Sequence, residues 1–259
     1  MGSENPARPE RPARPESTAR PDSAARPGVH GHDGGHHHRD VSGGWLRPAV
    51  FGAMDGLVTN VSLISGVSGG RVAQHTIVLT GLAGLAAGAF SMAAGEFVSV
   101  SSQNELVQAE VDKERLELEH NPAFEQAELA GMLRARGISA ATARQAAAEI
   151  SAHPDKALAV HALEELGVNP AELPSPLVAA GASLASFAVG ALIPLIPYLA
   201  GLNVLGVALG LAAVAAVAGG GMVARLTGRP FWRGALRQLV LGAVAAGITY
   251  LIGIGVHVS

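Results

Sequence analysis

The sequence contains no cysteine, few aromatic residues and few charges, and each shortage excludes a class of protein. Without cysteine, the 259-residue chain can form neither a disulfide nor a thiolate metal site. Charged residues make up 15% of the chain, against about 25% in soluble globular proteins, which argues against an ordinary soluble enzyme. Aromatic residues reach only 4%, yet hydrophobic residues reach 49% and the mean hydropathy is +0.31, so the chain is not a disordered polymer.

The few charges are unevenly distributed and divide the chain into parts. Residues 48–104 hold only three charges, and residues 174–224 hold none. Between these ranges, residues 105–172 carry 13 acidic and 6 basic groups. We therefore predict four parts in chain order: a tail (1–44), a first membrane part (45–104), an acidic soluble insertion (105–172) and a second membrane part (173–259).

The tail repeats Ala-Arg-Pro with a six-residue period and ends in a histidine-rich tract at residues 29–38. Proline at this density blocks helix and sheet, so the composition predicts disorder. Five imidazoles in nine residues could hold a borderline divalent metal loosely. A solvated low-complexity tail or a cloning remnant would have the same composition, and both interpretations stay open.

Five segments are long and apolar enough to cross a bilayer, which takes about 20 residues in a helix. They are residues 48–70, 76–98, 177–199, 202–224 and 235–257. Basic residues favour the cytoplasmic side. If the N-terminus is cytosolic, one side of the membrane holds Arg47, the insertion and the four arginines of residues 225–237. Five spans then place the C-terminus on the opposite side. Because topology accounts for these arginines, no nucleic-acid partner is expected.

Glycine pairs at four-residue spacing recur in the spans and favour close helix packing and self-association. These pairs are Gly52/Gly56, Gly84/Gly88 and Gly206/Gly210. Glycine is also frequent in spanning helices in general, so the pairs could occur without a role in packing.

Two carboxylates lie within the first two spans, and an intramembrane charge usually faces a bundle interior or an aqueous path. Asp55, Thr59 and Ser62 are spaced i, i+4, i+7 and therefore share one face of span one. Met92 and Glu96 share a face of span two and offer a thioether and a carboxylate. Groups of this kind can exchange a proton for a metal, although hydrogen bonding within the fold or lipid-facing packing would also explain them.

The acidic insertion is predicted to be a small helical bundle that begins as a continuation of span two. Glu114 and Glu117 are three residues apart, and Glu125 and Glu128 repeat the spacing beyond an Asn-Pro break. Antiparallel helices would turn these pairs toward each other, and His161 and Glu165 could add a nitrogen and an oxygen. Such clusters suit Fe²⁺ and Mn²⁺, although a solvated acidic face would show the same spacing.

At this point the sequence resembles the vacuolar iron transporter family, including its plant nodulin-like members, over roughly residues 45–257. The most specific stretches are DGLVTN at residues 55–60, GAFSMAAGEFVSV at 88–100, LPSPL at 173–177 and GALIPLIPY at 190–198.

The resemblance implies an all-α membrane protein: a homodimer with five transmembrane helices per subunit and a cytosolic helical metal-binding domain between helices 2 and 3. It implies that Fe²⁺, with Mn²⁺ tolerated, leaves the cytosol in exchange for protons, across the cytoplasmic membrane of a bacterium or a vacuolar-type membrane of a eukaryote. No organic cofactor is expected. The residues to which it assigns metal in transit are Asp55 and Met92, and those in the domain are Glu114, Glu117, Glu125, Glu128 and Glu165.

The sequence departs from the family pattern at two places. Gly84 stands where some members carry an acidic residue, so Glu96 is the alternative proton-coupling group. His161 and Ala162 stand where some members carry paired methionines, so a nitrogen site replaces a sulfur site.

Two other functions compete with transport. A membrane-anchored di-metal carboxylate oxidase would need two Glu-x-x-His motifs, and the chain has one, at residues 117–120. A metal-sensing membrane protein would not need the polar face of span one. We therefore expect a transporter and not an enzyme.

Overall fold

The computed structural model describes residues 44–258, and no strand occurs in that range. The long helices are α1 (Leu46–Gly69), α2 (Gln74–His120), α6 (Pro176–Leu199), α7 (Leu205–Leu226) and α8 (Phe231–Val258). All five are long and apolar enough to cross a membrane. Shorter helices lie between α2 and α6: α3 (Pro122–Ala135), α4 (Ala140–Ser151) and α5 (Pro154–His161). The histidine-rich tract lies outside the described residues.

Helix α2 is the longest element, and no proline interrupts it. Its 47 residues correspond to about 70 Å of helix, more than twice the thickness of a bilayer's hydrocarbon core. The last large apolar side chains of its spanning part are Phe97, Val98 and Val100, and mostly polar residues follow. The C-terminal part of α2 therefore projects beyond the apolar bundle and is continuous with the insertion.

Proline, serine and glycine set the ends of the shorter helices, as the sequence predicts. Pro122 and Pro154 occupy the first turns of α3 and α5, and the Ser139 hydroxyl caps α4 by accepting from the Thr142 amide at 3.3 Å. Gly137 and Gly167 adopt positive φ after α3 and after a π-helical turn at Ala162–Leu166.

Helix α1 lies at the centre of the apolar bundle, between α6 and α8. It crosses α6 so closely that a Cβ added to Gly56 would overlap the Phe187 carbonyl, and one added to Gly190 would overlap the Ala53 carbonyl. On the other side, the Thr249 hydroxyl donates to the Ser62 carbonyl at 2.7 Å and joins α8 to α1.

Within a single chain, two of the three predicted glycine pairs lie in close contact with other helices, and the third does not. Gly52 and Gly56 lie against α6, and a Cβ on Gly88 would overlap the Phe187 ring. Gly206 and Gly210 have no atom within 4 Å of an added Cβ, because they lie on a face of α7 that no other described helix covers.

Candidate metal site and membrane path

Four elements of the insertion bring one ligating side chain each to a common point. The projecting end of α2 supplies Glu114, and the chain reverses at Asn121 so that α3 returns Glu125 beside it. Helix α5 ends with His161, and the π-helical turn that follows carries Glu165. One ligand atom from each of the four lies within 4.8 Å of the others.

The imidazole of His161 is the centre of this cluster. Its ring is fully buried, and its Nδ1 lies 3.0 Å from a Glu114 oxygen, 3.2 Å from Glu165 and 3.8 Å from Glu125. Glu114 and Glu125 are themselves only 6% and 3% exposed, whereas Glu165 is at the solvent edge. Three carboxylates therefore converge on one nitrogen of an imidazole that is buried away from solvent.

Two buried polar atoms of the cluster have no hydrogen-bond partner: Oε1 of Glu114 and Nε2 of His161. Nδ1 is close to that Glu114 oxygen but is not aligned for a hydrogen bond with it, since the hydrogen bond of Nδ1 goes to Glu165. Within residues 44–258 no lysine or arginine forms an ion pair with any of the three glutamates. Buried carboxylates without a cationic partner are costly, so the arrangement fits a cation that completes it.

Burial also favours the protonated form of the buried carboxyl groups. Desolvation raises the pKa of Glu114 to about 7, and repulsion from Glu165 adds to the increase while His161 opposes it. Burial and repulsion from Glu128 raise the pKa of Glu125 as well. A divalent cation would displace these protons, so binding and proton release are coupled at this point.

The ligand set indicates the class of metal. A metal held at about 2.0–2.3 Å from its ligands has opposed ligand atoms about 4–4.6 Å apart, close to the 4.8 Å span of the cluster. Carboxylates with one imidazole suit Mn²⁺, Fe²⁺ and Zn²⁺, and the lack of sulfur disfavours Cu⁺.

The other two predicted glutamates of the insertion lie beside the cluster and not in it. Glu117 and Glu128 line an open groove of about 400 Å³ together with Asn121, Phe124 and Glu125. Glu117 is half-buried and lies 4.0 Å from Lys113, and Glu128 is exposed. Glu125 is thus shared between the buried cluster and an open acidic groove.

The predicted face of span one is only partly assembled. The Thr59 hydroxyl donates to Asp55 at 3.3 Å, and Asp55 opens into a groove of about 480 Å³ between α1 and α8 that Arg47 and Arg237 also line. Ser62 is buried farther along α1, and its hydroxyl has no hydrogen-bond partner.

In α2, Met92 and Glu96 are both half-buried. Met92 packs against the cluster of Ala89, Phe187 and Ala191 between α2 and α6. Within a single chain, the predicted transit residues of α1 and α2 therefore line separate surfaces.

Asn60 is a buried polar group to which the sequence reasoning assigned no role. It is fully buried, its amide donates to the Ala191 carbonyl at 2.5 Å, and its Oδ1 has no partner. A Cβ on Gly84 would lie 3.3 Å from that oxygen. An amide within an apolar span is the signal that could have identified this residue.

Comparison with known proteins identifies the family to which the chain belongs. The sequence profile of the VIT family matches residues 46–254. The chain is 37% identical to a protein of Acanthamoeba castellanii named vacuolar iron transporter, over 84% of this chain and 81% of the relative. It is 36% identical to vacuolar iron transporter homolog 1 of Oryza sativa subsp. japonica, over 80% and 71%.

A third relative, vacuolar iron transporter homolog 1 of Arabidopsis thaliana, is 33% identical over 81% of this chain and 84% of its own. All three names describe transporters and none describes an enzyme. The profile match covers both the spanning helices and the insertion that holds the buried cluster, and the chain therefore belongs to the VIT family.

Proposed function

We propose that this protein exports Fe²⁺ from the cytosol in exchange for protons and also accepts Mn²⁺. The observation that carries the proposal is the buried cluster of Glu114, Glu125, His161 and Glu165 on the end of a spanning helix. A site on a continuous helix that enters the membrane can capture an ion next to a transport path. The names of the relatives supply iron as the metal.

The roles follow from position. The cluster captures metal from the cytosol, and the open groove with Glu117 and Glu128 gives hydrated ions access to Glu125. Asp55, supported by Thr59, receives the ion within the membrane, and Ser62 and Met92 provide further ligands along the way. Glu96, half-buried at the end of the spanning part of α2, passes the ion on or exchanges its proton.

Because Asp55 and Met92 lie on separate surfaces of one chain, we propose that the path is completed between two copies in a homodimer. In the same proposal the N-terminus and the insertion are cytosolic and the C-terminus is on the opposite side. The oxidase alternative lacks support: the histidine of its single motif, His120, is exposed, and its ring bonds to the Leu116 carbonyl of its own helix.

Metal flux into proteoliposomes tests this function. The full chain is reconstituted into vesicles that contain an Fe²⁺-sensitive dye, with and without an acidic lumen. Fe²⁺ entry should accelerate when the lumen is acidic, and Asp55→Asn should abolish the flux. Asp112→Asn removes the same charge from an exposed position outside the cluster and should leave the flux unchanged. Equal flux in wild type and Asp55→Asn, with no dependence on the pH gradient, would exclude the mechanism, and no flux above that of empty vesicles would leave metal sensing as the function.

A further inference from the structure

The arginines around the connection between α7 and α8 form no ion pair within the described residues, although Asp55 lines the same groove as Arg237. Arg225, Arg229, Arg233 and Arg237 are all exposed, and no acidic residue follows Glu172 in the chain. Within residues 44–258 none of the four forms an ion pair. Arg233 and Arg237 are one helical turn apart on α8, where like charges repel unless an anion lies between or beside them.

Two of these guanidinium groups are held against aromatic rings. The Arg225 guanidinium carbon lies 5.1 Å from the centre of the Phe231 ring, and that of Arg233 lies 5.4 Å from the Trp232 ring. Both distances are within the range of a cation–π contact. The Phe231 ring is fixed in turn against Gly221 of α7, where no Cβ would fit.

The backbone of the connection is fixed as well. The Arg229 amide donates to the Ala224 carbonyl at 2.8 Å, and Gly228 adopts a φ of +69° that permits the turn. The Thr227 hydroxyl donates to the Val223 and Ala224 carbonyls. The arginines therefore extend from a short, hydrogen-bonded turn, and a side chain that is already oriented loses less entropy when it binds an anion.

The residues around the connection are those expected at the level of the membrane surface. Trp232 is 60% exposed at the first turn of α8, and Trp45 is 51% exposed immediately before α1. Arg47 and Arg237 line one groove, which places the starts of α1 and α8 at the same end of the bundle. Exposed tryptophans at the ends of apolar spans are typical of the headgroup region.

We propose that Arg225, Arg229 and Arg233, with Trp232, bind the headgroup of an anionic phospholipid. A guanidinium group matches the geometry of a phosphate and can donate two parallel hydrogen bonds to it. The positive end of the α8 dipole lies at the same place and adds to the attraction. Orientation of the protein in the membrane requires only positive charge, whereas guanidinium groups ordered on rings of a fixed turn indicate a bound partner.

Lipid binding by the intact chain tests the proposal. The full protein in neutral detergent is offered equal amounts of phosphatidylglycerol and phosphatidylcholine with the same acyl chains, and bound lipid is counted by native mass spectrometry. Wild type should retain phosphatidylglycerol preferentially. Arg225→Gln/Arg229→Gln/Arg233→Gln should weaken this binding by about fivefold for each arginine replaced, while phosphatidylcholine binding stays the same.

A charge-matched variant is the control. Arg71→Gln/Arg134→Gln/Arg144→Gln removes the same three charges from exposed positions elsewhere and should bind phosphatidylglycerol like wild type. The single change Arg229→Gln touches no ring contact and should cost about fivefold alone, so the proposal is tested even if the triple variant does not fold.

Three results would overturn the proposal. The first is equal retention of the two lipids by wild type, and the second is unchanged phosphatidylglycerol binding in Arg229→Gln. The third is displacement of the lipid by an equal concentration of inorganic phosphate, which would identify a general oxyanion site and not a lipid site.

Discussion

At the scale of single residues, the buried cluster places three carboxylates around one imidazole nitrogen. In the metal-free protein this excess of negative charge is relieved by a proton, since burial raises the pKa of both Glu114 and Glu125. A divalent cation would neutralise the excess charge in another way, because it would be coordinated by a nitrogen of His161 and by the carboxylate oxygens at the same time. The same four side chains can thus bind either a proton or a metal ion.

Loss of the imidazole should weaken metal binding selectively. We expect His161→Ala to lower the affinity for Zn²⁺ by about tenfold or more, and the affinity for Mn²⁺ by less, because imidazole suits Zn²⁺ and carboxylates suit Mn²⁺. Isothermal titration of the full chain in detergent measures both. His120→Ala removes an exposed imidazole at the end of α2 and should change neither affinity. Equal weakening by the two variants would contradict a specific role for His161.

The stability of the metal-free protein should fall as pH rises. Because the pKa of Glu114 is raised in the folded state, its stabilising contribution is complete below the unfolded pKa, near 4.5, and is lost as pH rises through about 7. The loss amounts to about 3 kcal/mol at most. His161, Glu125, Glu165 and Glu117 are the groups that act on this titration.

Thermal unfolding followed by circular dichroism in a chelator, from pH 5 to pH 8, measures this effect. Glu114→Gln should flatten the pH dependence, whereas Glu119→Gln, an exposed carboxyl on the same helix, should leave it as in wild type. A transition that rises with pH, or that is equally steep in Glu114→Gln, would be inconsistent with a buried, protonated Glu114.

At the scale of helices, the contact between α1 and α6 depends on glycine at the crossing point. Gly56 and Gly190 face the backbone of the opposite helix, so neither position has room for a side chain. The same contact fixes Asn60, whose amide bonds to the Ala191 carbonyl beside Gly190. The position of α1, and with it of Asp55, is therefore set by a backbone contact.

Adding one methyl group at this crossing should be destabilising. Gly190→Ala would push a Cβ into the Ala53 carbonyl, and overpacking of this kind typically costs about 1–3 kcal/mol. Gly181→Ala on the same helix meets nothing within 4 Å and should be neutral or stabilising by about 0.5–1 kcal/mol. Thermal midpoints in detergent compare the two. A thermal midpoint that is lower in Gly181→Ala than in Gly190→Ala would contradict the close approach of α1 and α6 at Gly190.

The sequence predicted these elements well where a local signal exists. The two stretches almost without charge mark the spanning helices, and Pro122, Ser139 and Gly137 mark ends in the insertion. It could not decide which glutamate of each pair turns inward. Glu114 and Glu117 differ by about 60° around the helix axis, and the packing of α3 and α5 against α2 selects Glu114. Likewise, only the tertiary contact with α6 buries Asn60.

At the scale of the whole molecule, the order of the five long helices fixes which connections share a side. If α1, α2, α6, α7 and α8 each cross the bilayer, the start of α1, the insertion and the α7–α8 connection lie together. The turn between α6 and α7 then lies opposite. Transport out of the cytosol further requires that the insertion be cytosolic.

Since the chain contains no cysteine, single introduced cysteines can report this topology without background. We expect a membrane-impermeant maleimide added to intact cells to label Leu202→Cys, in the turn between α6 and α7, and not Ala123→Cys, in the insertion. Both positions are exposed. Inside-out vesicles should give the reverse pattern. Labelling of both from one side would contradict a crossing by α6, which lies between the two positions, and a reversed pattern in cells would contradict export.

The uninterrupted length of α2 determines what electrostatic environment the metal cluster samples. Along the helix axis, Glu114 is about 21 Å beyond Val100, the last large apolar side chain of the spanning part. The headgroup layer takes up about 5–8 Å of this separation. The remaining distance of about 13–16 Å is up to about twice the screening length of 8 Å at physiological ionic strength. If α2 crosses the bilayer, the cluster therefore lies largely outside the ion atmosphere of the lipid headgroups, and responds to the bulk concentrations of metal and proton more than to those at the charged membrane surface.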